Sequence, residues 1–284
     1  HADWFMTLAL PSGEPSLACA REPGGYRMRF PELADFRVDS SGTEIVCEAL
    51  EGIPTATIRH LLFDQVVPRV LGLLGREALH ATAILTPHGV CAFTGLAGEG
   101  KSTLAASFHL AGFPVLCDDC LVLHGQRHAI EAIPAYPGIR LWEDSASALG
   151  CDQESLVPVA HYSLKRRVLA ERRPGSFPPD RETLVRIYHL GEARGTDRKS
   201  GAENCIIEEI SRREAFIVLV TSGFRLDITD RTMLARQFDF LERVASLVPI
   251  RRLHVPEDFS ALPAIRDAIL ADLRVTPESR QQAA

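Results

Sequence analysis

Up to about residue 50 the chain reads in short extended pieces. Tyr26 to Phe30 (YRMRF), Ala34 to Val38 (ADFRV) and Thr43 to Leu50 (TEIVCEAL) alternate or carry β-branched and aromatic residues. Turn signals at Pro11-Ser12-Gly13, Pro23-Gly24-Gly25 and Asp39 to Gly42 separate them, which predicts a set of short strands. After Pro54 the period changes. Ile58, Leu61, Leu62, Val66, Val70 and Leu73 fall near helical spacing over Thr55 to Leu74, with Pro68 expected to kink or split that helix. A boundary near Gly75 divides the chain into a small β-rich N-terminal domain ending in a helix (1–74) and a larger second domain (75–284).

From Gly75 the pattern is α/β. A strand is predicted over Leu79 to Leu85, a turn at Pro87-His88-Gly89, and an apolar strand over Val90 to Thr94. GLAGEGKST follows, then a helix from Lys101 to about Leu110, stopped by Gly112 and Pro114. Pro114 to Cys117 and Leu121 to His124 read as two more strands around Asp118-Asp119. Residues 172–180 and 192–203 are polar and rich in Gly, Pro and charge, so surface loops are expected there. Asp230 to Leu273 reads as mostly helical, and the last residues as frayed.

Composition narrows the function classes. With 284 residues and 46% hydrophobic content, the chain can bury a full core. Its 31 Lys+Arg against 37 Asp+Glu give a net charge of -6, opposite in sign to a general nucleic-acid binder. No run approaches the roughly 18 apolar residues of a membrane span, and the first residues lack a signal peptide's basic and apolar regions. The seven cysteines are odd in number and scattered, so a reducing cytoplasm is expected rather than a disulfide framework. Cys117 and Cys120 read as small residues at a strand end, with no second pair to complete a zinc site.

Gly95-x4-Gly100-Lys101-Ser102 satisfies the P-loop pattern. Gly95, Gly98 and Gly100 permit backbone conformations that turn N–H groups toward a phosphate, and the following helix aims its positive end at the same anion. Lys101 is suited to the β- and γ-phosphates and Ser102 to Mg²⁺. Lysine occurs only at 101, 165 and 199, which makes a chance match less attractive. The nucleotide-binding set is therefore Gly95, Gly98, Glu99, Gly100, Lys101, Ser102 and Thr103, with ATP or another nucleoside triphosphate as ligand. Asp118-Asp119 follows a strand whose C-terminal end should lie beside the loop. One carboxylate near metal and one near an acceptor hydroxyl would divide the labour of phosphoryl transfer. His80 lies on the strand before the P-loop strand, where a histidine by itself is more often a core or edge residue than a ligand.

In combination, His80, GLAGEGKST and CDDCLVL resemble the catalytic core of the HPr kinase/phosphorylase superfamily, at intervals of 101 − 80 = 21 and 118 − 101 = 17 residues. The resemblance implies an α/β P-loop kinase domain related to phosphoenolpyruvate carboxykinase, acting on serine hydroxyls of a protein. It also implies that Lys101 and Ser102 bind phosphate and Mg²⁺, Asp118 accepts the serine proton, Asp119 assists at the metal, and His80 lines the site. The family's bifunctional regulators carry Glu where this chain has Thr103, and a downstream Gly-Arg-Asn run that this chain lacks. Phosphorylase activity and HPr as substrate are accordingly not implied. Wider segments, including HLLFDQVVPRVLGLLGREALHATAI, AIPAYPGIRLWEDSA and FRLDITDRTMLARQFDFL, resemble HPr kinase-like proteins of peptide-maturation systems, among them lasso peptide tailoring kinases that phosphorylate a C-terminal serine of a precursor.

Arg140, the Lys165-Arg166-Arg167 cluster and Arg225 are candidates for extra cations around a γ-phosphate. The expected partner is a peptide or small protein with an acceptor serine, with neither nucleic acid nor membrane; a homo-oligomer is compatible. A small-molecule hydroxyl kinase and a nucleotide-gated regulatory ATPase use the same core and stay open as alternatives.

Overall fold

The computed structural model describes residues 2–10, 12–135, 138–151, 156–169, 181–191, 205–256 and 258–274. The loops expected at 172–180 and 192–203, the C-terminal tail, and Tyr136-Pro137 lie outside the described residues. The fold is mixed α/β with three sheets.

The first sheet is an antiparallel meander of β1 (Asp3–Ala9), β2 (Pro15–Glu22), β3 (Gly25–Phe30), β4 (Ala34–Asp39) and β5 (Ile45–Ala49), paired in sequence order. Alternation places Leu17, Cys19, Met28, Phe30, Phe36 and Val38 on its buried face. The other face carries Arg27 and Arg29, both paired with Asp35. Over the buried face lies a continuous helical segment: α1 (Thr55–Leu61), a π-helical turn over Leu62–Val66, and α2 (Val67–Val70). Leu61, Val66 and Val70 close the core, with Ile58, Leu62 and Leu73 packed at its margin. Pro68 sits in the first turn of α2, directly after the π-helical turn. The irregularity expected at Pro68 is thus met just before it, by a wider turn, and the helix continues. Leu226 completes the same core, and Arg21 reaches the buried Asp227 at 2.5 Å.

The largest sheet follows the order β6 (Glu77–Leu79), β10 (Leu121–Gly125), β11 (Ile130–Ile133), β15 (Glu182–Gly191), β8 (Gly89–Thr94), β7 (Thr82–Thr86) and β9 (Val115–Cys117). β17 (Ile250–His254) runs parallel to β15 and carries β16 (Ile206–Glu209) on its far side. β8, β15 and β17 are parallel, whereas β7 is antiparallel to both β8 and β9. The C-terminal ends of β8, β9, β15 and β17 and the start of β7 therefore share one edge. The smallest sheet joins β12 (Gly138–Leu141), β14 (Arg166–Leu169) and β13 (Val157–Pro158). A short helix, α4 (Glu143–Ala148), follows β12.

Helices cover both faces of the large sheet. On one, α5 (Arg212–Ser222) and α6 (Arg231–Leu247) bury Ala215, Val218, Leu219, Leu241 and Val244 against Ala83, Val90, Ala92 and Ile187. On the other, α3 (Lys101–Leu110) and α7 (Leu262–Arg274) bury Leu104, Phe108, Ile265 and Ile269 against Ile84, Cys91, Phe93 and Tyr188. A bulge in β15 between Leu184 and Arg186 turns two consecutive residues to the α7 side. Val185 packs into that core, and Arg186 pairs with Asp272 of α7 at 3.4 Å.

Two sequence expectations are corrected. The strand expected over Leu79 to Leu85 is two strands, because His80 and Ala81 leave the ladder, with the His80 N–H donating instead to the Ser222 carbonyl at 2.7 Å. The segment from Asp230 to Leu273 contains β17 as well as helices. Its IRRLH sequence hides a strand because Arg251 is buried against Asp272, so polarity does not mark a solvent face. Among the described residues, no helix is long and apolar enough to cross a membrane.

Candidate functional site

At the shared sheet edge β8 ends in Thr94 and the chain passes through Gly95–Gly100 into α3. Gly95, Gly98 and Gly100 all have positive φ (144°, 94° and 90°), a region where a side chain is strained. A Cβ at Gly95 would also press on the Leu190 carbonyl and Cβ at 3.3 Å and displace the mobile end of Glu99. Among the described residues no side chain caps α3, so the N–H groups of its first turn are available to an outside acceptor. The loop's charged groups bind the loop itself. Lys101 Nζ donates to the Gly95 and Leu96 carbonyls at 2.8 and 2.9 Å, and Glu99 Oε2 accepts the Leu96 N–H at 2.6 Å. Burial lowers the Lys101 pKa, opposed by Asp119, Glu99 and Asp118.

Asp118 and Asp119 form the turn between β9 and β10. Asp118 is buried, and both its oxygens are engaged. Oδ1 accepts from Thr82 Oγ1 at 2.6 Å and from Ser102 Oγ at 2.9 Å, and Oδ2 accepts the Arg140 N–H at 2.8 Å. Burial and the neighbouring Asp119 raise its pKa from 3.8 to about 6, against the pull of Arg140 and Thr82. Asp119 has φ 66°, one of two positive values outside glycine among the described residues, and this left-handed step turns its carboxylate away from its neighbour's partners. Oδ2 accepts from Arg140 Nη1 at 2.7 Å, and Oδ1 faces His80 Nε2 at 3.8 Å. Burial pushes its pKa up, but Arg140, His80 and Lys165 more than reverse this and hold it at about 2.

Arg140, on β12, is the hub of this cluster. Besides its backbone contact to Asp118 and its Nη1 contact to Asp119, its Nη2 donates to Asp64 Oδ1 at 2.6 Å. Asp64 lies in the π-helical turn, and its other oxygen pairs with His60 Nδ1 at 2.6 Å. The guanidinium is thus committed to carboxylates, whereas the sequence reading offered it to phosphate. His80 packs its ring edge-on to Phe224 at 6.0 Å. Burial lowers its pKa, Asp119 opposes that, and Lys101, Lys165 and Arg140 reinforce it. Lys165 stacks its ammonium over Trp142, 5.5 Å from the ring centre, and acts on the charges of His80, Lys101 and Asp119.

Of the remaining candidates, Thr103 turns away to Ser145 Oγ at 3.1 Å. Arg166 is exposed at the start of β14. Arg225 donates to the Val220 carbonyl and lies in the neighbourhood of Glu77, apart from the acid pair. The structure therefore brings together His80, Lys101, Ser102, Asp118, Asp119, Arg140 and Lys165, and leaves Thr103, Arg166 and Arg225 outside that set.

Sequence reasoning missed Thr82, Asp64 and His60. Thr82 carries no signal within an apolar strand. Asp64 carries one: Thr57, Leu61, Asp64 and Pro68 follow the 4-3-4 spacing of one helix face, so a carboxylate stands on a buried stripe.

Neither a protein-family model nor a curated protein matches the chain. Among solved structures, the HPr(Ser) kinase/phosphatase from Coxiella burnetii is similar over 69% of this chain and 97% of its own, with 11% identity and a TM-score of 0.34.

Proposed function

We propose that this protein is a phosphotransferase that moves the terminal phosphoryl group of ATP, with Mg²⁺, onto a serine-type hydroxyl of a peptide or small protein. The observation that carries the reading is the 2.9 Å hydrogen bond from Ser102 Oγ to Asp118 Oδ1, which joins the start of α3 to the acid pair. A hydroxyl and a carboxylate at contact distance are an oxygen donor set suited to Mg²⁺, which usually takes one or two protein ligands and fills its shell with phosphate oxygens and water. Bound there, the ion would neutralise charge on the phosphates.

The chain's own groups have separable tasks in this reading. The glycine turn and the uncapped start of α3 bind phosphate through N–H groups, and Lys101 exchanges its two loop carbonyls for phosphate oxygens. Asp118 serves the metal together with Ser102, whose hydroxyl lies 2.9 Å from its Oδ1. Asp119 serves the acceptor: Arg140 holds it ionised through one oxygen, and the other faces His80. This reverses the division that the family resemblance implies. A depressed pKa makes Asp119 a weak base, which is tolerable where the transition state is loose and positioning dominates. Trp142, beneath Lys165, and Tyr162, beside His60, are 43% and 51% exposed, which suits an acceptor carried on a larger molecule.

The test is transfer from labelled Mg-ATP to serine peptides, with sugars and water as competing acceptors. Wild type should label peptide. Lys101→Ala should lose nucleotide binding, and Asp119→Asn should keep binding and lose transfer by at least tenfold. Phosphate release at the same rate with and without peptide would instead favour an ATPase, and no turnover of Mg-ATP under any condition would overturn the reading.

A further inference from the structure

Asp64 is part of neither the glycine turn nor the acid pair, yet it is buried within hydrogen-bond reach of the site's central cation. We propose that Asp64 is a positioning residue for Asp119, acting through Arg140, and that it fastens the helix of the N-terminal sheet to the site. The inference rests on the phosphotransferase reading above and deepens it.

The geometry gives Asp64 a specific task. A guanidinium prefers a carboxylate bidentately, with two parallel N–H donors to one acid. Arg140 does not do this. Nη1 goes to Asp119 at 2.7 Å and Nη2 to Asp64 at 2.6 Å, while the buried Nε has no partner among the described residues. Asp64 thus holds one arm of the fork. That keeps Asp119 singly bonded and leaves its Oδ1 facing His80 rather than folded back onto the guanidinium. Without Asp64, both arms are free to close on Asp119 and draw in the oxygen that an acceptor hydroxyl would need.

Asp64 is itself fixed from two sides. His60 Nδ1 bonds its second oxygen at 2.6 Å, one turn earlier on the same segment. The π-helical turn that carries Asp64 inserts an extra residue into the helix, a feature often found at functional sites. Leu61, just before that turn, and Val66, its last residue, are buried in the core of the N-terminal sheet. The helix is therefore anchored on the meander and presents a carboxylate to the acid pair's cation.

The experiment uses the full chain with Asp64→Asn, Asp64→Glu, Asp119→Asn and the double variant Asp64→Asn/Asp119→Asn. Binding of a fluorescent ATP analogue and transfer of label from Mg-ATP to the serine peptides are measured on each, together with urea unfolding. Asp64→Asn should bind nucleotide within about twofold of wild type and turn over at least tenfold more slowly, with Asp64→Glu recovering part of the loss. The double variant should turn over no more slowly than Asp119→Asn alone, because the two act through one cation. Its unfolding midpoint should fall by more than the two single shifts combined, because only the double variant leaves Arg140 without either side-chain acid. If Asp64→Asn does not fold, Asp64→Glu is read the same way, with binding kept and turnover reduced. Turnover of Asp64→Asn within twofold of wild type, or additive effects in both cycles, overturns the assignment. A wild-type chain that binds and turns over no Mg-ATP overturns the phosphotransferase reading and the positioning role with it, so the two failures are distinguishable.

Discussion

Replacing Asp118 by Asn should make the metal-free, nucleotide-free protein more stable at neutral pH while impairing its chemistry. The carboxamide fits the same partners: its oxygen accepts the Arg140 N–H, and its NH₂ donates to Thr82 and Ser102, whose hydroxyls can accept as readily as donate. What the substitution removes is a charge that burial and Asp119 disfavour. The pKa of Asp118 is raised in the folded state from 3.8 to about 6, so the folded protein binds this proton more tightly than the unfolded chain does. The acid therefore lowers stability above pH 6, and that penalty fades as pH falls through the folded value and is gone below about 4. At roughly 1.4 kcal/mol per pH unit of displacement, the penalty is about 2–3 kcal/mol at pH 8. Urea unfolding of both proteins in chelator, from pH 8 to pH 4.5, should show Asp118→Asn more stable by about that amount at pH 8, with the gap closing toward pH 4.5. The window stops above the range where Asp119, held near 2, begins to take up its proton. A variant less stable than wild type at pH 8, or a gap independent of pH, would refute the claim that Asp118 is held charged at a cost.

Two further substitutions probe other parts of the site and its frame. Glu99→Ala frees the Leu96 N–H and removes a negative charge from the glycine turn, so ATP should bind about 3- to 10-fold more tightly, or roughly 0.7–1.4 kcal/mol by titration calorimetry; weaker binding would mean that Glu99 contacts the nucleotide itself. Tyr188→Phe deletes the 2.8 Å hydrogen bond to Asp272 that helps tie α7 to β15, but Arg186 and Arg251 still hold that carboxylate. Unfolding should show a loss of about 1–2 kcal/mol with nucleotide affinity unchanged, and a change in affinity would show that α7 packing reaches the loop.

What the sequence made legible follows the range over which each feature is determined. The glycine turn is a local object: its conformation needs Gly95, Gly98 and Gly100 at fixed offsets, and the preceding apolar strand and following helix are contiguous with it. The meander was partly legible for the same reason, since alternation in YRMRF and ADFRV maps directly onto the buried Met28, Phe30, Phe36 and Val38. β15 and β17 were not. Both are buried on two faces, and the bulge at Leu184 to Arg186 with the arginines paired to Asp272 erases the period-two signal that an exposed face would supply.

The acid pair shows the limit most clearly. Adjacency in sequence marked Asp118 and Asp119 as partners but could not divide their roles, because neighbouring carboxylates look alike until the backbone between them is known. A left-handed φ at Asp119 sends the two side chains to different surroundings. One meets two hydroxyls and a backbone N–H, and the other meets a guanidinium and an imidazole. Those surroundings come from β7, α3, β12 and the break between β6 and β7 that carries His80. Their opposite effects on the pKa, up for Asp118 and down for Asp119, are thus products of tertiary packing acting on identical side chains. The same logic explains why Asp64 escaped notice. A single acid on a helix stripe has no chemistry until folding lays it against Arg140, and its value to the site lies in which arm of that cation it occupies.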